Sequence, residues 1–539
     1  NILTYYLPGL FNHKSFSRNG NNDFVARLNI TNPEILNQLF KLNLNLGQHL
    51  NIDGYVNERS KQISLNLDAP DIIYHSHHVE NLLFSLSTSS NHLLAQVSGD
   101  RIDDSGRKIS ITSNGVVGSG KISTNSSFNI EGNHPLTGEI DCNAILHRVN
   151  GKLTSFIHFN PSEIQIDTIG LNVQSSDMVY SDNSLDIKHF EISNKDQHII
   201  VNGLTSGSSK DSLTVQLKDI DVPYIMDIVN FHSVKFDGLA SGKVIIKSFF
   251  STPQATAQLN VKDFHFENGL MGTLYLNSSY NDREGRIHID AFADPGDNSR
   301  TDIKGYVDIK KGYINLPIYA SNTHLYFLKE FCSSFMDDIN LTANGWCKVV
   351  GPLSDINLEG DMYASGNVYI TPLGTRYTLN NSRVRIIPNE IIFERDTIYD
   401  AEKNIGIVTG GLHHHSLRKL TYDINIEANN LLVYNFPKNT GGDAFWGVVY
   451  GTGKCLIVGR DDEVTMNIDM YPNKNSFITY NATDNSVGEN SFIQWRDLTP
   501  DTLSELRPDS IINYNARGGE NRNKKDNWDI ANDLHINFL

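Results

Sequence analysis

Residues 356–370 alternate at every position between apolar or small side chains and polar or tyrosine side chains. A side-chain period of two is typical of a β-strand with one dry face and one wet face. Most strands run about five or six residues, so this segment predicts an unusually long strand whose dry face must cover or hold something. The apolar or small positions are Ile356, Leu358, Gly360, Met362, Ala364, Gly366, Val368 and Ile370.

The same alternation recurs over much of the chain, and clusters of turn-forming residues such as 281–285 and 295–298 separate the alternating segments. Between Val261 and Phe264 the alternation slips by one residue, which predicts a β-bulge or a turn. The pattern therefore predicts a succession of strands and tight turns with little other structure.

Three short helices are predicted to interrupt the strands, near residues 32–39, 222–230 and 322–336. The first two begin with a capping Asn or Asp and an early proline, and residues 321–323 supply caps for the third. Each leads into an alternating strand that contains glycine: LNIDGYV, VKFDGLASGKV and INLTANGWCKV. Such recurrence favours a long stacked object over separate globules.

An apolar sheet face must be covered, and three arrangements achieve this. A second sheet covers it in a sandwich, a closed barrel covers it with itself, and a curled open trough leaves it lining a groove. Covered sheets dominate among β folds. The residues alone therefore favour a packed core between two sheets, with the open groove as the alternative.

The chain has 539 residues, whereas compact domains stop growing near about 250–300 residues. Several domains or an architecture that grows along one axis are therefore expected. The formal net charge of −17 argues against a general nucleic-acid binder, which needs clustered Lys and Arg. A content of 39% hydrophobic and 20% charged residues excludes a disordered tail and a membrane bundle.

The chain contains no apolar run of about 18 residues, so we expect no helix of it to span a bilayer. Its first residues, NILTYYLPGL, include neither an initiator Met nor a charged-then-apolar signal sequence. Its last residues, DLHINFL, stop within an alternating pattern. We therefore expect a window on a longer protein, with any membrane anchor outside it.

Searches for catalytic motifs find no complete set. GVVGSGKIS resembles a phosphate-binding loop, but Ile122 stands where Ser or Thr must follow Lys121, and the flanks predict a hairpin. The motifs G-x-S-x-G and G-x-G-x-x-G are absent. An unrecognised glycosidase could hold its two acids far apart in sequence. We nevertheless predict that the protein is not an enzyme and uses no cofactor.

Histidine and cysteine provide the remaining candidate chemistry. The segments YHSHHV and GLHHHS could pair His75 with His77, or His413 with His415, on one strand face around a metal. Neither has the H-E-x-x-H pattern, so solvent-facing histidines are favoured and no metal site is predicted.

The four cysteines form no C-x-x-C pair. A disulfide between Cys332 and Cys347 is conceivable, but sequence alone cannot place one. Small buried thiols are the favoured interpretation.

Five segments in the second half of the chain carry a resemblance to a known family. They are GWCKVVGPLSDINLEGDMYASGNVYITPLGTRYTL, RVRIIPNEIIFERDTIYDAE, GLHHHSLRKLTYDINIEANNLLVYNF, FWGVVYGTGKCLIVG and FIQWRDL. In order and spacing they resemble the C-terminal region of the translocation and assembly module (TamB) family, which is related to AsmA-like proteins, in the form found in Bacteroidetes. GLASGKVIIKSFFSTPQATAQLNV looks like an earlier copy of the pattern. The resemblance covers residues 230–539 well and 1–230 only in style.

The resemblance implies a bridge-like lipid transfer protein. Its fold would be all-β: an elongated, curled antiparallel β-sheet trough (β-taco groove) with a hydrophobic interior and a few short helices. Residues 1–215 would form the N-terminal part of the groove, 216–344 its middle and 345–539 the family's C-terminal part. This chain would lack the N-terminal anchor and the extreme C-terminus of the family.

The resemblance also implies a location and partners. Such proteins are anchored in the inner membrane, cross the periplasm, and work with an outer-membrane Omp85-type barrel, TamA, or its lipoprotein relative in Bacteroidetes. They are implicated in phospholipid movement and in outer-membrane protein assembly, and no catalytic residues come with the family.

On this hypothesis, phospholipid acyl chains lie against the inward-facing apolar positions of the alternating strands. These predicted groove residues are Leu259, Val261, Ile287, Ile289, Val307, Ile309, Leu316, Ile318, Ile356, Leu358, Met362, Ala364, Val368, Ile370, Ile424, Ile426, Met466 and Ile468. Two other classes stay open. One is a scaffold or chaperone that offers sheet edges to unfolded outer-membrane proteins by strand addition, and the other is an adhesin built as a filled β-helix.

Overall fold

The structure is a computed structural model that describes residues 2–10, 22–75, 77–103, 106–228, 231, 234–333, 336–415, 418–438, 445–460, 463–480 and 532–536. Strands make up 73% and helices 5% of it, and the strands pair into an antiparallel sheet. The all-β antiparallel prediction is therefore confirmed. The segment FIQWRDL, which contributed to the family resemblance, lies outside the described residues.

The elements follow one another in a long meander. The helices are α1 (Ile2–Tyr6), α2 (Glu34–Phe40), α3 (Val222–Ile228) and α4 (Leu328–Cys332), with a 3-10 turn, η1, at Thr371–Leu373. The first sixteen strands are β1 (Asp23–Ile30), β2 (Leu44–Leu46), β3 (Leu50–Asn57), β4 (Gln62–Tyr74), β5 (His77–Ser89), β6 (His92–Ile102), β7 (Lys108–Gly118), β8 (Lys121–Ile130), β9 (Leu136–Val149), β10 (Lys152–Phe159), β11 (Ser162–Ile166), β12 (Ile169–Val173), β13 (Ser176–Ser181), β14 (Ser184–Ser193), β15 (His198–Thr205) and β16 (Ser212–Asp221).

The remaining strands continue the meander, and several are unusually long. They are β17 (Phe236–Lys247), β18 (Gln254–Phe266), β19 (Gly269–Asn281), β20 (Arg286–Asp294), β21 (Arg300–Asp308), β22 (Tyr313–His324), β23 (Met336–Pro352), β24 (Asn357–Ile370), β25 (Thr375–Ile387), β26 (Glu390–Tyr399), β27 (Ile405–His415), β28 (Arg418–Phe436), β29 (Phe445–Arg460), β30 (Glu463–Pro472), β31 (Phe477–Tyr480) and β32 (Asn532–Ile536).

Several pairings differ from a plain antiparallel meander. The hairpin β11–β12 lies between β10 and β13 in sequence, yet β10 pairs directly with β13, and β9 pairs with both β10 and β11. Near the start of the chain, β1 pairs with β3 and β2 pairs with β4. The strand β32 pairs with β30 in the parallel sense. The segment GVVGSGKIS, which only resembles a phosphate-binding loop, is an ordinary hairpin between β7 and β8, as its flanks indicated.

The chain divides into two compact units, and each is described by itself. The first unit comprises residues 1–331 with 342–360, and the second comprises 332–341 with 361–539. The three-part division at 215 and 344 stays a prediction.

Because consecutive strands run in opposite directions, the connections lie alternately at the two sides of the sheet where strands begin and end. One of these sides, here called the hairpin edge, holds tight turns such as 118–121 between β7 and β8. The other, the helix edge, holds the connections that contain α2, α3 and α4. Helices α3 and α4 lead directly into the glycine-containing strands β17 and β23, and α2 is followed by the short strand β2 and then by the glycine-containing β3. The predicted recurrence is therefore confirmed.

The prediction of the third helix was wrong at its start. Ser321, Asn322 and Thr323 are strand residues at the end of β22, and α4 begins only at Leu328. Asn322 has left-handed backbone inside the strand, a conformation that Asn tolerates well both at caps and in bulges. The helix α1 was not predicted.

Five bulge–glycine junctions of one construction recur among the described strands. In each, a residue with left-handed backbone donates its N–H to a Ser, Thr or Asn side chain on the neighbouring strand, at 2.7–2.9 Å, and the accepting residue is followed by a glycine with positive φ. The junctions, given as donor, acceptor and glycine, are His189, Asn202 and Gly203; Asp219, Ser241 and Gly242; Asn322, Asn344 and Gly345; Asn381, Ser365 and Gly366; and Asn430, Thr452 and Gly453.

Glycine is required at these junctions by close approach as well as by backbone conformation. A Cβ on Gly242 would lie 2.1 Å from the carbonyl oxygen of Gln258, and one on Gly366 would lie 2.1 Å from that of Asn340. Bulges bend a strand and increase its twist. The junctions therefore add local curvature to the sheet at five places. The bulge predicted between Val261 and Phe264 is also confirmed, with left-handed backbone at Asp263.

Replacement of Gly242 by alanine is expected to destabilise the protein by about 2–4 kcal/mol, because strained backbone and a steric clash add. Thermal melting of Gly242→Ala against the parent measures this. Gly296→Ala is the matched control: Gly296 also has positive φ, at 85°, but a Cβ there has no atom within 4 Å. An equal loss of stability in both variants would show that the expected clash at Gly242 does not destabilise the protein.

Candidate functional site

Strand register places most predicted groove residues on one face of the sheet, because residues opposite each other on antiparallel strands point the same way. Leu259 and Ile318 belong to a central row of register partners. That row runs, strand by strand, through Val173, Ile192, Ile199, Leu217, Gly242, Leu259, Leu276, Ala291, Ile303, Ile318 and Cys347.

A second central row lies beside the first, towards the hairpin edge. It contains the predicted residues Ile289 and Leu316, which flank Gly305. The whole row is Val201, Val215, Val244, Ala257, Ser278, Ile289, Gly305, Leu316 and Val349.

A third row, the hairpin-side row, is the longest and crosses sixteen strands. It contains the predicted residues Ile287 and Val307. Its members are Leu93, Val117, Ile122, Ala144, Ile157, Met178, Ile187, Gly203, Leu213, Ile246, Ala255, Tyr280, Ile287, Val307, Ile314 and Gly351. The first unit thus has one continuous apolar face.

Most residues of the central rows are only half-buried, although Val173 and Ala291 are at most 3% exposed. Leu259, Ile289, Leu316 and Ile318 are neither fully buried nor fully exposed, and the described strands all pair into one sheet rather than two. The sandwich that residue patterns alone favoured is therefore wrong. Apolar side chains left half-covered on one sheet face form a surface suited to apolar ligands.

Val261 behaves differently from its neighbours because helix α3 covers it. It belongs to a helix-side row with Ala240 and Ala293, and all three are at most 4% exposed. Val222 of α3 packs on this row, with Ile225 and Met226 of the same helix beside it. Val261 is thus on the predicted face but does not line an open surface.

The β24 residues that follow the opening pattern share one strand and one face by period two. Ala364 and Val368 are at most 7% exposed, whereas Leu358, Met362 and Ile370 are half-buried. Two predicted residues fall outside strands. Ile356 precedes β24, and Ile309 lies in the turn after β21 and is 54% exposed. Sequence alternation continues through both turns, which is why pattern alone included them.

The second unit repeats the arrangement over fewer strands. Ile424 lies opposite Ile457, which lies opposite Met466. Ile426 lies opposite Cys455, which lies opposite Ile468. Ile424, Ile426, Met466 and Ile468 therefore share one face, and all four are half-buried.

The opposite face of the sheet is polar and carries ion pairs between register neighbours. Lys304 Nζ lies 3.4 Å from Asp290 Oδ1, and Lys348 Nζ lies 3.0 Å from Glu359 Oε2. Exposed pairs of this kind contribute little to stability. They identify the face of the sheet that meets water.

The histidine groups do not assemble a metal site. His75 lies in a turn with left-handed backbone rather than on a strand beside His77. His78 Nε2 contacts Asp71 at 2.9 Å, and His413 Nε2 contacts Asp423 at 3.0 Å. No group of three or more candidate ligands with metal-binding geometry occurs among the described residues.

The four cysteines are free thiols. Burial raises the pKa of Cys332, Cys347 and Cys455 to about 11. Because all four thiols are free, no disulfide joins Cys332 and Cys347. The preference for small buried thiols fits Cys332, Cys347 and Cys455.

Asp396 is a polar exception on the apolar face that sequence reasoning missed. It lies opposite Val408, which lies opposite Ile426, and it is 7% exposed. It accepts a hydrogen bond from the Arg383 backbone N–H, while its Oδ2 has no hydrogen-bond partner among the described residues. Burial raises the pKa of Asp396 against the effect of that hydrogen bond, and Glu394 raises it further.

Comparison with known proteins gives no match: no protein-family model matches the chain, and neither does any curated protein or solved structure. The family resemblance therefore rests on the quoted segments alone. Among the described residues, no helix has the length and apolar character needed to cross a membrane.

Asp396→Asn is expected to raise the melting temperature near pH 8. Because the folded-state pKa is raised above the unfolded value of about 3.9, the parent loses stability as pH rises through the folded-state pKa. An amide does not titrate, so the gain should shrink towards about pH 4. Thermal melts across this range test it, and a variant less stable than the parent near pH 8 would contradict it.

Proposed function

We propose that the chain is part of a periplasm-spanning hydrophobic groove that conducts phospholipids between the inner and outer membranes. It would work with an outer-membrane Omp85-type barrel, TamA-like or its Bacteroidetes lipoprotein relative. An inner-membrane anchor would lie outside this chain. The observation that carries the proposal is the continuous apolar face of the first unit, on which most residues of the central rows are half-buried.

Acyl chains fit the chemistry of this face. Each buried methylene contributes about 0.8 kcal/mol, so a chain lying across several strands is held strongly out of water. Glycine and alanine at Gly242, Ala257, Ala291 and Gly305 leave space between the larger side chains of the central rows. Nothing in this scheme needs a catalytic residue or a cofactor.

A second candidate function is a scaffold that binds unfolded outer-membrane proteins by strand addition. The observation that favours it is the edge strand β1, which pairs only with β3 among the described residues. Phe24, Val25 and Leu28 of this strand are each more than half exposed. Unpaired strand edges with apolar side chains are templates for added strands.

Phospholipid co-purifying with the protein tests the proposal directly. The double variant Ile289→Asp/Leu316→Asp should hold at least fivefold less phospholipid than the parent, since charge in the acyl path must be desolvated. Mass spectrometry of extracted lipid, with and without prior incubation with phosphatidylethanolamine–phosphatidylglycerol liposomes, measures this. Both residues are half-buried, so the sheet should survive, as circular dichroism can verify.

Tyr319→Asp is the matched control, because Tyr319 lies between Ile318 and Ala320 on the opposite face and is 53% exposed. It should hold as much lipid as the parent. A parent that stays lipid-free after liposome incubation would overturn lipid conduction. If the double variant still bound unfolded outer-membrane protein as well as the parent, that activity would belong to the edges and not to the groove.

A further inference from the structure

Helix α3 has two contacting sides, although it is only seven residues long. Val222, Ile225 and Met226, spaced as on one helix face, pack on the helix-side row. Tyr224 and Asp227, three residues apart on another face, meet turns of the sheet. The helix is therefore held between the apolar face and a second part of the first unit.

Asp227 makes the contacts to those turns. Its Oδ2 accepts the backbone N–H of His134, in the β8–β9 turn, at 2.6 Å. Its backbone oxygen accepts a hydrogen bond from Arg107 Nη1, in the β6–β7 turn, at 2.8 Å. Arg107 is fixed in turn by Asp103, with Nε to Oδ2 at 2.9 Å. Asp227 is 9% exposed, so these bonds are made out of water.

Tyr224 supports the same attachment. Its ring stacks edge-on against His134 with centroids 5.3 Å apart, and His134 Nδ1 is held by Asp167 at 2.5 Å. Burial raises the pKa of Tyr224, as do Asp221 and Asp167 nearby, which fits a dry contact.

The span of this attachment shows that the sheet curls here. Along the helix edge, pairing runs through β9, β11, β12, β14, β15 and β16 between the β8–β9 turn and the start of α3. These five steps measure about 24 Å on a flat sheet, whereas α3 is about 10 Å long. The edge must therefore bend towards the apolar face, and α3 closes the bend.

We infer that α3 is a strap across the apolar face, latched by Asp227 to the turns that hold Arg107 and His134. The closed strap withholds the helix-side row, including Val261, and leaves the half-buried residues of the central rows accessible. Releasing the latch widens the face by that row. Asp227 is thus a positioning residue that sets how much apolar surface a ligand meets.

Thiol labelling tests the strap without any lipid. Leu259→Cys and Val261→Cys lie two residues apart on one strand and one face, so they differ mainly in the cover by α3. In the parent background, peptide-resolved maleimide labelling should modify position 259 at least tenfold faster than position 261. Equal rates would overturn the strap.

Unlatching should then expose position 261 selectively. Asp227→Ala should raise labelling at 261 at least tenfold and leave 259 unchanged, and Asp227→Asn should restore protection because an amide oxygen still accepts from His134. Asp297→Ala is the control, since it removes another carboxylate–histidine contact at the helix edge, to His324 at 2.7 Å, and should leave 261 protected. Should Asp227→Ala not fold, Arg107→Ala releases the other anchor. Labelling at 261 unmoved by every folded unlatching variant would refute the latch.

The consequence for lipids rests on the proposed function. Asp227→Ala should hold more phospholipid per protein and release a fluorescent phospholipid to acceptor vesicles at least threefold faster than Asp297→Ala. Labelling that responds to the latch in a protein that never binds lipid would support the strap and overturn lipid conduction. Lipid binding in a protein whose labelling and lipid release do not respond to the latch variants would support lipid conduction and overturn the strap.

Discussion

The structure depends on keeping one face apolar while the sheet bends, and the bulge–glycine junctions satisfy both demands. A side-chain period of two means that one added residue moves the rest of a strand to the other face. The bulge between Val261 and Phe264 in β18 adds one such residue. Without it, Phe264 would point to the polar face. The same shift separates Leu217 from Ile220 in β16. The bulges in β18 and β16 thus keep Phe264 and Ile220 on the inner face near the helix edge, and they also supply local curvature.

The apolar face is covered mainly near the hairpin edge and near the helix edge. Near the hairpin edge, Tyr6 of α1 is 1% exposed and packs on Leu93 and Val117, with its hydroxyl donating to the Lys61 carbonyl at 3.1 Å. At the helix edge α3 plays the same part. In the second unit, the end of β28 covers the face. The Leu432 N–H donates a hydrogen bond to Asp400 Oδ2, and the Leu432 carbonyl accepts one from the Tyr377 hydroxyl. The strip between the covered edges is what remains for a ligand.

Sequence alternation was sufficient to predict the strands, their face and the residues on it, because a period of two is a local property of the backbone. It could not predict that Val261 is covered. Helix α3 provides the cover, and Asp227 attaches this helix to two turns that lie about a hundred residues before it in sequence. It missed Asp396, because a bulge in β26 re-phases the strand just before that residue. It also extended the pattern through Ile309 and Ile356, because turns can continue an alternation without pairing.

On the proposed function, the part of the hairpin-side row beyond Leu93 and Val117, which Tyr6 covers, favours movement of a ligand along the sheet over storage in a pocket. A chain that shifts by one strand exchanges one set of aliphatic contacts for a similar set, so the wells along the row differ little, while leaving the row altogether costs about 0.8 kcal/mol per exposed methylene. A polar group in need of a partner would break this uniformity. The row's one polar side chain, Tyr280, has its hydroxyl already bonded to Asp282 Oδ1 at 3.1 Å, so it offers no trap. In the second unit Asp396 interrupts the apolar surface with a buried Oδ2 that has no hydrogen-bond partner among the described residues, so on the proposed function a lipid moving there would meet a polar step.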